Sequence, residues 1–427
     1  MKIIIIGAGL GGLTCAIACR RENLDVVVLE RSPQLLPAGA GIQIPPNGAR
    51  VLQELNLVHQ VLEKGTVVES MDLRRYKDGS VITSMECGET VAREYGSPWI
   101  IIHRADYQQI LFDRATSMGV EIRFGANLQR IDFEATAAIL EGGKTVAGDV
   151  IIGADGLWST VREEMSTRSF PPIETGDMAY RAVFPRSQLE ALGDPEVTRL
   201  CNKVAVTAWL GPDKHAVFYP VRGGEEFNLV LLQPDKMPAG VRTDEGDLEE
   251  VQSGFRDWDT TLQRLITCIS SVVRWKLCHL PELETWTKGR VTLLGDACHP
   301  TLPYQAQGAA MAVQDGAVLG MLLGHVAKRL ADQGDLEIEQ RKITICDAFG
   351  IYEDLRKART TASVKGALRN REVFHMQDGI LQWLRDLVLG YSGMTQETDW
   401  IGLMSKRQAQ SLASDALAEC KRRLDEA

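Results

Sequence analysis

The sequence predicts an α/β protein in which a doubly wound sheet is interrupted by pieces of an antiparallel sheet and followed by helices. Three features predict it. The chain opens on a β-branched run, a glycine-rich turn, a helix and a second β-branched run. Two later apolar runs end in aspartate. Between those runs the pattern switches to short strand-like segments bounded by turn residues.

Lys2 to Ile6 is apolar throughout, as a parallel strand buried on both faces must be, and Gly12 to Arg21 reads as the helix that follows it. Asp25 to Leu29 is the second buried strand. The segment from Val67 to Met85 has hairpin character, with Asp78-Gly79 as its turn. The runs Asp149 to Asp155 and Val291 to Asp296 return to the buried-strand pattern. Val204 to Leu210, Ala216 to Tyr219 and Phe227 to Leu232 read as strands of an antiparallel sheet, and from Ala309 onward the chain is mostly helical.

At 427 residues, with 44% hydrophobic and 24% charged residues, the chain can bury a large core without metal or disulfide staples. A net charge of −10 and the lack of a long Lys/Arg tract exclude a phosphate-tracking nucleic-acid surface. The nine cysteines are scattered with no Cys-x-x-Cys pair, which offers neither a zinc site nor a disulfide framework and fits a reducing compartment. Cys15 and Cys19, one helical turn apart, read as small apolar core residues. Glycines interrupt the apolar stretch from Met1 to Cys19, so it reads as strand and turn rather than a signal peptide. The expectation is a cytoplasmic protein with no membrane span.

The motif Gly7-Ala8-Gly9-Leu10-Gly11-Gly12 stands between strand and helix. Gly7 permits the tight turn, Gly9 lets a pyrophosphate approach the backbone, and Gly12 lets helix and strand pack closely. Glu30 ends the second strand, where a carboxylate can accept both ribose hydroxyls of an adenosine. Arg31 beside it joins the cofactor-binding candidates. This much predicts a dinucleotide without separating NAD from FAD.

Two further motifs separate them. Gly153-Ala154-Asp155-Gly156-Leu157-Trp158-Ser159-Thr160-Val161-Arg162 follows one strand, and Gly295-Asp296-Ala297-Cys298-His299-Pro300 follows the other. With the glycine turn they resemble the aromatic-hydroxylase family of flavin monooxygenases, the branch similar to salicylate hydroxylases and related fungal enzymes, from the N-terminus to about Arg359. The resemblance implies a Rossmann-like FAD-binding domain (1–66, 99–174 and 284–360), an inserted antiparallel-sheet substrate domain (67–98 and 175–283) and a helical C-terminal region (361–427).

It also implies roles. Asp155 lies near the FAD pyrophosphate and the route of NADPH or NADH, and Asp296 on the ribityl chain; turn capping is the competing reading for both. The stretch from Pro300 through Pro303 to Gly308, Ala309 and Ala310 runs past the flavin ring, its helix start facing the pyrimidine end. Arg104 matches an arginine near the FAD phosphates. Gly41, in the segment Gly39 to Asn47, lies in a loop that either approaches the ring or only turns.

The implied reaction takes NAD(P)H and O2 and, through a flavin C4a-hydroperoxide, hydroxylates or epoxidises a small phenolic, benzoate-like or indolic substrate. A flavin oxidase or reductase on the same scaffold is the alternative. Arg181 matches an arginine that positions substrate or peroxide, with a structural salt bridge as its competitor. Tyr219 falls on a strand expected to face the cavity. Trp209 reads as core, and His299 as serving the shape of its loop rather than acid–base work. The remaining histidines, His215 and His375 among them, have no metal-ligand spacing, so no metal is expected. Ile380, Leu381, Leu384, Leu387 and Val388 form one apolar helical face with Trp383 at its margin. That face suits a core or subunit contact, in a monomer or homodimer.

Overall fold

The fold is taken from a computed structural model, which describes residues 1–35, 39–166, 169–238, 240–333, 338–395 and 409–426. Part of the predicted C-terminal region, 396–408 and 427, lies outside the described residues.

The β-branched runs form the centre of a six-stranded sheet. Its order is Thr287–Lys288, Val291–Leu293, Val150–Gly153, Lys2–Ile6, Asp25–Leu29 and Glu121–Arg123. All pairs are parallel except the terminal one, Thr287–Lys288 on Val291–Leu293. Ile3, Ile4 and Ile5 are fully buried, as strands covered on both faces require.

The helix Leu10–Arg21 follows the glycine turn and packs against the long helix Gly308–Asp332. Small residues set how closely they approach. A Cβ on Gly316 would stand 2.6 Å from the carbonyl oxygen of Gly11, and one on Gly320 would collide with Ala18. Gly11, Cys15 and Ala18 thus face Ala312, Gly316 and Gly320, which explains why a cysteine serves at position 15 as a small apolar residue. The Gly308–Asp332 helix is long and apolar enough to cross a membrane (mean hydropathy 1.3), but 78% of its apolar window is buried within the fold, as in a core helix.

The second sheet has eight strands in the order Thr243–Glu245, Val273–His279, Ile173–Pro185, Glu226–Pro234, Lys214–Val221, Ala205–Gly211, Ser70–Arg75 and Val81–Glu86. The hairpin with Gly79 in its turn is present, Gly79 having φ +68°. One expectation is corrected here. The sheet is mixed rather than antiparallel, because Ser70–Arg75 and Ala205–Gly211 pair in parallel. These strands come from separate excursions of the chain, so no tight turn constrains their direction. The boundary expected at 174/175 falls inside Ile173–Pro185, and that at 360/361 falls inside the helix Ile338–Phe374.

The helix Ile380–Thr395 packs on the edge strand Val81–Glu86 with Gln382, Arg385 and Leu389 buried, and its apolar face lies on the surface; of the two expected alternatives, core or subunit contact, the core is excluded.

Candidate active site: a dinucleotide groove opening on a sheet-walled cavity

The glycine turn, the strand-end acids and the start of the long helix surround one groove. A chamber of about 420 Å³ is lined by Gly9, Gly12, Gly41, Arg104, Gly156, Arg181, Tyr219, Asp296, Pro303, Gly308 and Ala309, among others. A second, of about 320 Å³, is lined by Gly7, Gly9, Glu30, Arg31, Arg104, Asp155 and Gly156. Gly9, Arg104, Ala154 and Gly156 belong to both, so the chambers adjoin. Every cofactor candidate from the sequence therefore lines this groove.

The groove fits a dinucleotide on three counts. First, the helices starting at Leu10 and Gly308 both lack a side-chain cap and acidic residues in their first turns, and both starts face the groove. Their free amides and positive dipole ends favour phosphate at one and developing negative charge at the other.

Second, the three motif glycines are bare for different reasons. Gly7 has φ +108°, which disfavours a side chain. A Cβ on Gly12 would drive into the carbonyl oxygen of Gly7, so Gly12 is required by packing. Gly9 has φ −74°, and a Cβ there would meet nothing within 4 Å. Neither backbone nor packing demands glycine at position 9, which leaves the approach of a ligand. Gly9→Ala should therefore keep the melting temperature of the flavin-free protein and lower FAD affinity by about tenfold or more. Gly12→Ala should lose both, with overpacking costing about 1–3 kcal/mol. Flavin absorbance per protein and melting curves distinguish the two.

Third, the polar groups are graded along the groove. Glu30 accepts from the amides of Ala8 (2.8 Å) and Ser32 (2.9 Å), which fixes its carboxylate at the mouth of the outer chamber. Arg104 is half-buried at the junction of the chambers; its pKa is lowered by burial and raised by the nearby Asp296. Asp296 is accessible to water, but only because it stands in the cleft. The surrounding protein pushes its carboxyl pKa up, while His299 and Arg104 pull it down.

Asp155 behaves differently. Its carboxylate accepts from the Ser159 hydroxyl (2.6 Å) and the Val161 amide (3.1 Å), which is the capping geometry. Its neighbour Gly156 presents backbone to both chambers.

Behind Asp296 lies a buried charge cluster. Asp315 accepts from Arg356 Nε at 2.7 Å and the Gly295 amide at 3.0 Å, and lies 2.6 Å from His299 Nε2. His299 is thereby committed to holding the Gly295–Ala297 turn. Cys298, His299 and Asp315 gather closely enough to suggest a metal site. The Arg356 guanidinium already neutralises that carboxylate, however, and a cation there would face it at close range.

The far wall is the eight-stranded sheet. Arg181 and Tyr219, far apart in sequence, both reach the larger chamber. The salt-bridge alternative for Arg181 finds no support, because no ion pair to it exists among the described residues and its Nε is buried without a partner. Its guanidinium lies over the Trp275 ring, 5.1 Å from the centroid. Burial lowers its pKa, and the adjacent Tyr219 raises it. The Tyr219 hydroxyl is held well above the usual tyrosine range by burial, against the pull of Arg181. The Tyr219 ring packs on Gly41, where a Cβ would collide with it, and the Gly41 amide donates to Asn228 Oδ1 at 2.8 Å. Trp209 is fully buried and donates its indole N–H to Asp259 at 2.9 Å, so it is core and not lining.

The linear reading missed His215. It lines the same chamber, and its Nδ1 lies 2.8 Å from Nε2 of His375. Burial keeps both imidazoles neutral, His215 well below the usual histidine range and His375 at about 4. Around them Tyr304 donates to Asp177 at 2.8 Å, and Arg371 pairs with the same carboxylate. A signal existed in the sequence. His215, Val217 and Tyr219 alternate on one strand, so placing Tyr219 in the cavity places the other two on the same face.

The chain resembles known proteins along most of its length. Residues 1–344 match the family described as FAD binding domain. The chain is 40% identical over 398 residues to the FAD-dependent monooxygenase OpS4 of Beauveria bassiana (strain ARSEF 2860), covering 90% of this chain and 88% of that protein. It is 34% identical to the 3-amino-4-hydroxybenzoate 2-monooxygenase of Streptomyces cremeus, with 89% of each covered. A crystal structure of Klebsiella pneumoniae HpxO complexed with FAD and uric acid shares the fold, with TM-score 0.77 at 24% identity over 97% of each chain. The glycine turn, the two uncapped helix starts and Asp296 thus line one groove in a chain that aligns with flavoenzymes along nearly all its length, and the chain belongs to the FAD-dependent monooxygenase family.

Proposed function

We propose that the protein uses NADPH or NADH and O2 to hydroxylate or epoxidise a small aromatic anion, of phenolic, benzoate-like or indolic type. The observation that carries this reading is Arg181, a half-buried guanidinium with a buried, unpartnered Nε and no carboxylate partner among the described residues, in the same chamber as Asp296 and the Gly308 helix start. A buried cation without a counter-ion is costly unless a ligand supplies one. The relatives support the class, since one acts on an aminohydroxybenzoate by its name.

Bound FAD supplies the redox chemistry and the activation of O2. Glu30 holds the adenosine end, the helix start at Leu10 with Arg104 the phosphates, Asp296 the ribityl hydroxyls, and the Pro303–Ala309 stretch the ring. Arg181 neutralises the phenolate or carboxylate of the substrate and orients it by a planar fork. Tyr219, protonated at neutral pH, donates to a substrate oxygen. The neutral His215–His375 pair holds or passes a proton, since one ring must donate and the other accept across 2.8 Å. Val217, Val230 and Leu232 exclude water from the reacting face. We also infer that the two large sheets divide the chain into an FAD-binding part and a substrate part, with the helical C-terminus packed on both.

The test is oxidation of NADH and of NADPH by the purified flavoprotein across hydroxybenzoates, aminohydroxybenzoates, other phenols and indoles, with product mass measured. Stimulated oxidation and a product one oxygen atom heavier are expected. Oxidation that yields only H2O2, or that no compound of these classes stimulates, overturns the reading.

A further inference from the structure

We infer that the outer face of the Ile380–Thr395 helix is the contact through which two copies of this chain form a symmetric dimer. The helix is amphipathic the wrong way round for a lone protein. Its polar side chains Gln382 and Arg385 are 7% and 8% exposed and turn into the protein. Arg385 pairs with Asp386 (2.7 Å) and donates to the Val373 carbonyl (2.8 Å), and Asp386 reaches Arg75 (3.6 Å). On the opposite side Ile380, Leu381, Trp383, Leu384, Leu387 and Tyr391 are 78%, 71%, 57%, 42%, 55% and 61% exposed.

The exposed area decides what kind of surface this is. Taking on the order of 150–250 Å² for each fully exposed large side chain, these exposures leave roughly 550–900 Å² of apolar surface. The largest patch on an ordinary monomer is roughly 300–600 Å². A stable interface needs about 800 Å² from each partner, which one such face supplies with its rim.

Charge identifies the occupant. The chain carries −10 overall, yet the only charged residues of this helix, Arg385 and Asp386, are turned inward and paired. Two copies can therefore meet here without opposing like charges. A helix lying in a membrane interface would instead carry Lys or Arg on a solvated polar face to meet anionic headgroups, and here the polar face is buried in protein. A twofold axis across the helix sets the Ile380 end of one copy against the Leu387–Tyr391 end of the other, with Trp383 and Tyr391 as aromatic anchors.

The experiment is sedimentation of the purified, FAD-loaded full chain over a range of concentrations. Wild type should run at twice the 47.1 kDa chain mass, and Leu384→Glu/Leu387→Glu should run at 47.1 kDa with flavin content and melting temperature unchanged. Two charges in the interface core should raise the dissociation constant by at least ~100-fold. Hydroxyl-radical footprinting of the wild type keeps the proposal testable if the variant fails to fold, because Trp383 should become protected as concentration rises. A wild-type monomer at all concentrations, a dimer that the substitutions leave intact, or Trp383 labelling that does not change with concentration overturns it. So does a monomer that co-sediments with phosphatidylcholine/phosphatidylserine vesicles, which would assign the face to a lipid surface.

Discussion

Replacing Arg181 with alanine should abolish most substrate-stimulated NAD(P)H oxidation while the flavin stays bound. The guanidinium is the cavity's one side-chain cation without an ion pair on the sheet wall, among the described residues. Removing it leaves the substrate anion desolvated opposite Tyr219 and apolar side chains. Truncating one partner of a buried charge pair costs about 2–5 kcal/mol, a fall of roughly 30- to 5000-fold in kcat/KM. Lysine at this position keeps the charge but loses the planar face that lies over Trp275, so Arg181→Lys should recover only part of the loss. Flavin content should be unchanged in both variants, because Arg181 stands on the sheet and not on the glycine turn. An alanine variant within twofold of wild-type kcat/KM on a hydroxybenzoate that the wild type turns over would remove Arg181 from the binding machinery.

The largest effect on stability should come from Asp315→Ala. This fully buried carboxylate joins the Gly308–Asp332 helix to Arg356 on the next helix and to the turn that carries Asp296. Alanine leaves Arg356 buried without its counter-charge and should cost about 3–5 kcal/mol, seen as a lowered melting temperature together with weaker FAD binding. Burial pushes the Asp315 carboxyl up, but the charges of His299 and Arg356 and their hydrogen bonds overrule it and hold the group at about 2. Because its folded pKa lies below the unfolded value, the cluster's contribution is fully present above about pH 4. It is lost as pH falls toward 2. The wild type should therefore lose on the order of 2–3 kcal/mol across that window through this group. Asp315→Ala should show a correspondingly flatter acid-unfolding profile, and an unaltered profile would argue against the cluster's role.

The parts of this molecule that were legible in its sequence are those where local pattern and ligand demand coincide. Ile3 to Ile6 read as a buried strand and Gly9, between strand and helix, as the point where a pyrophosphate approaches; the structure adds that neither backbone nor packing requires glycine there. Asp296 was legible because a strand end carries it to the groove. Asp155 was ambiguous in sequence, since a capping aspartate and a ligand aspartate look alike. Its bonds to Ser159 and Val161 take the capping form. The parallel pairing of Ser70–Arg75 with Ala205–Gly211 joins strands more than a hundred residues apart, and no local turn records it. The Asp315–His299–Arg356 cluster likewise assembles from three elements whose spacing carries no signature. The Ile380–Thr395 helix was read as amphipathic with its apolar face in a core or subunit contact; the structure removes the core alternative, because a hydrophobic period gives the stripe and not the neighbour it meets.

The alternation on the strand Lys214–Val221 bears on how such an enzyme can change its diet. Positions 215, 217 and 219 look into the chamber, whereas Ala216 and Phe218 belong to the packed interior on the other side of the sheet. Substitutions at 217 can therefore resculpt what the chamber accepts while leaving Ala216 and Phe218 in place, whereas those at 215 and 219 also touch His375 and Gly41. The cofactor half, locked by glycine against glycine, has no such freedom. New substrates would accordingly be expected to arise by exchange on one wall, while the opposite wall stays fixed.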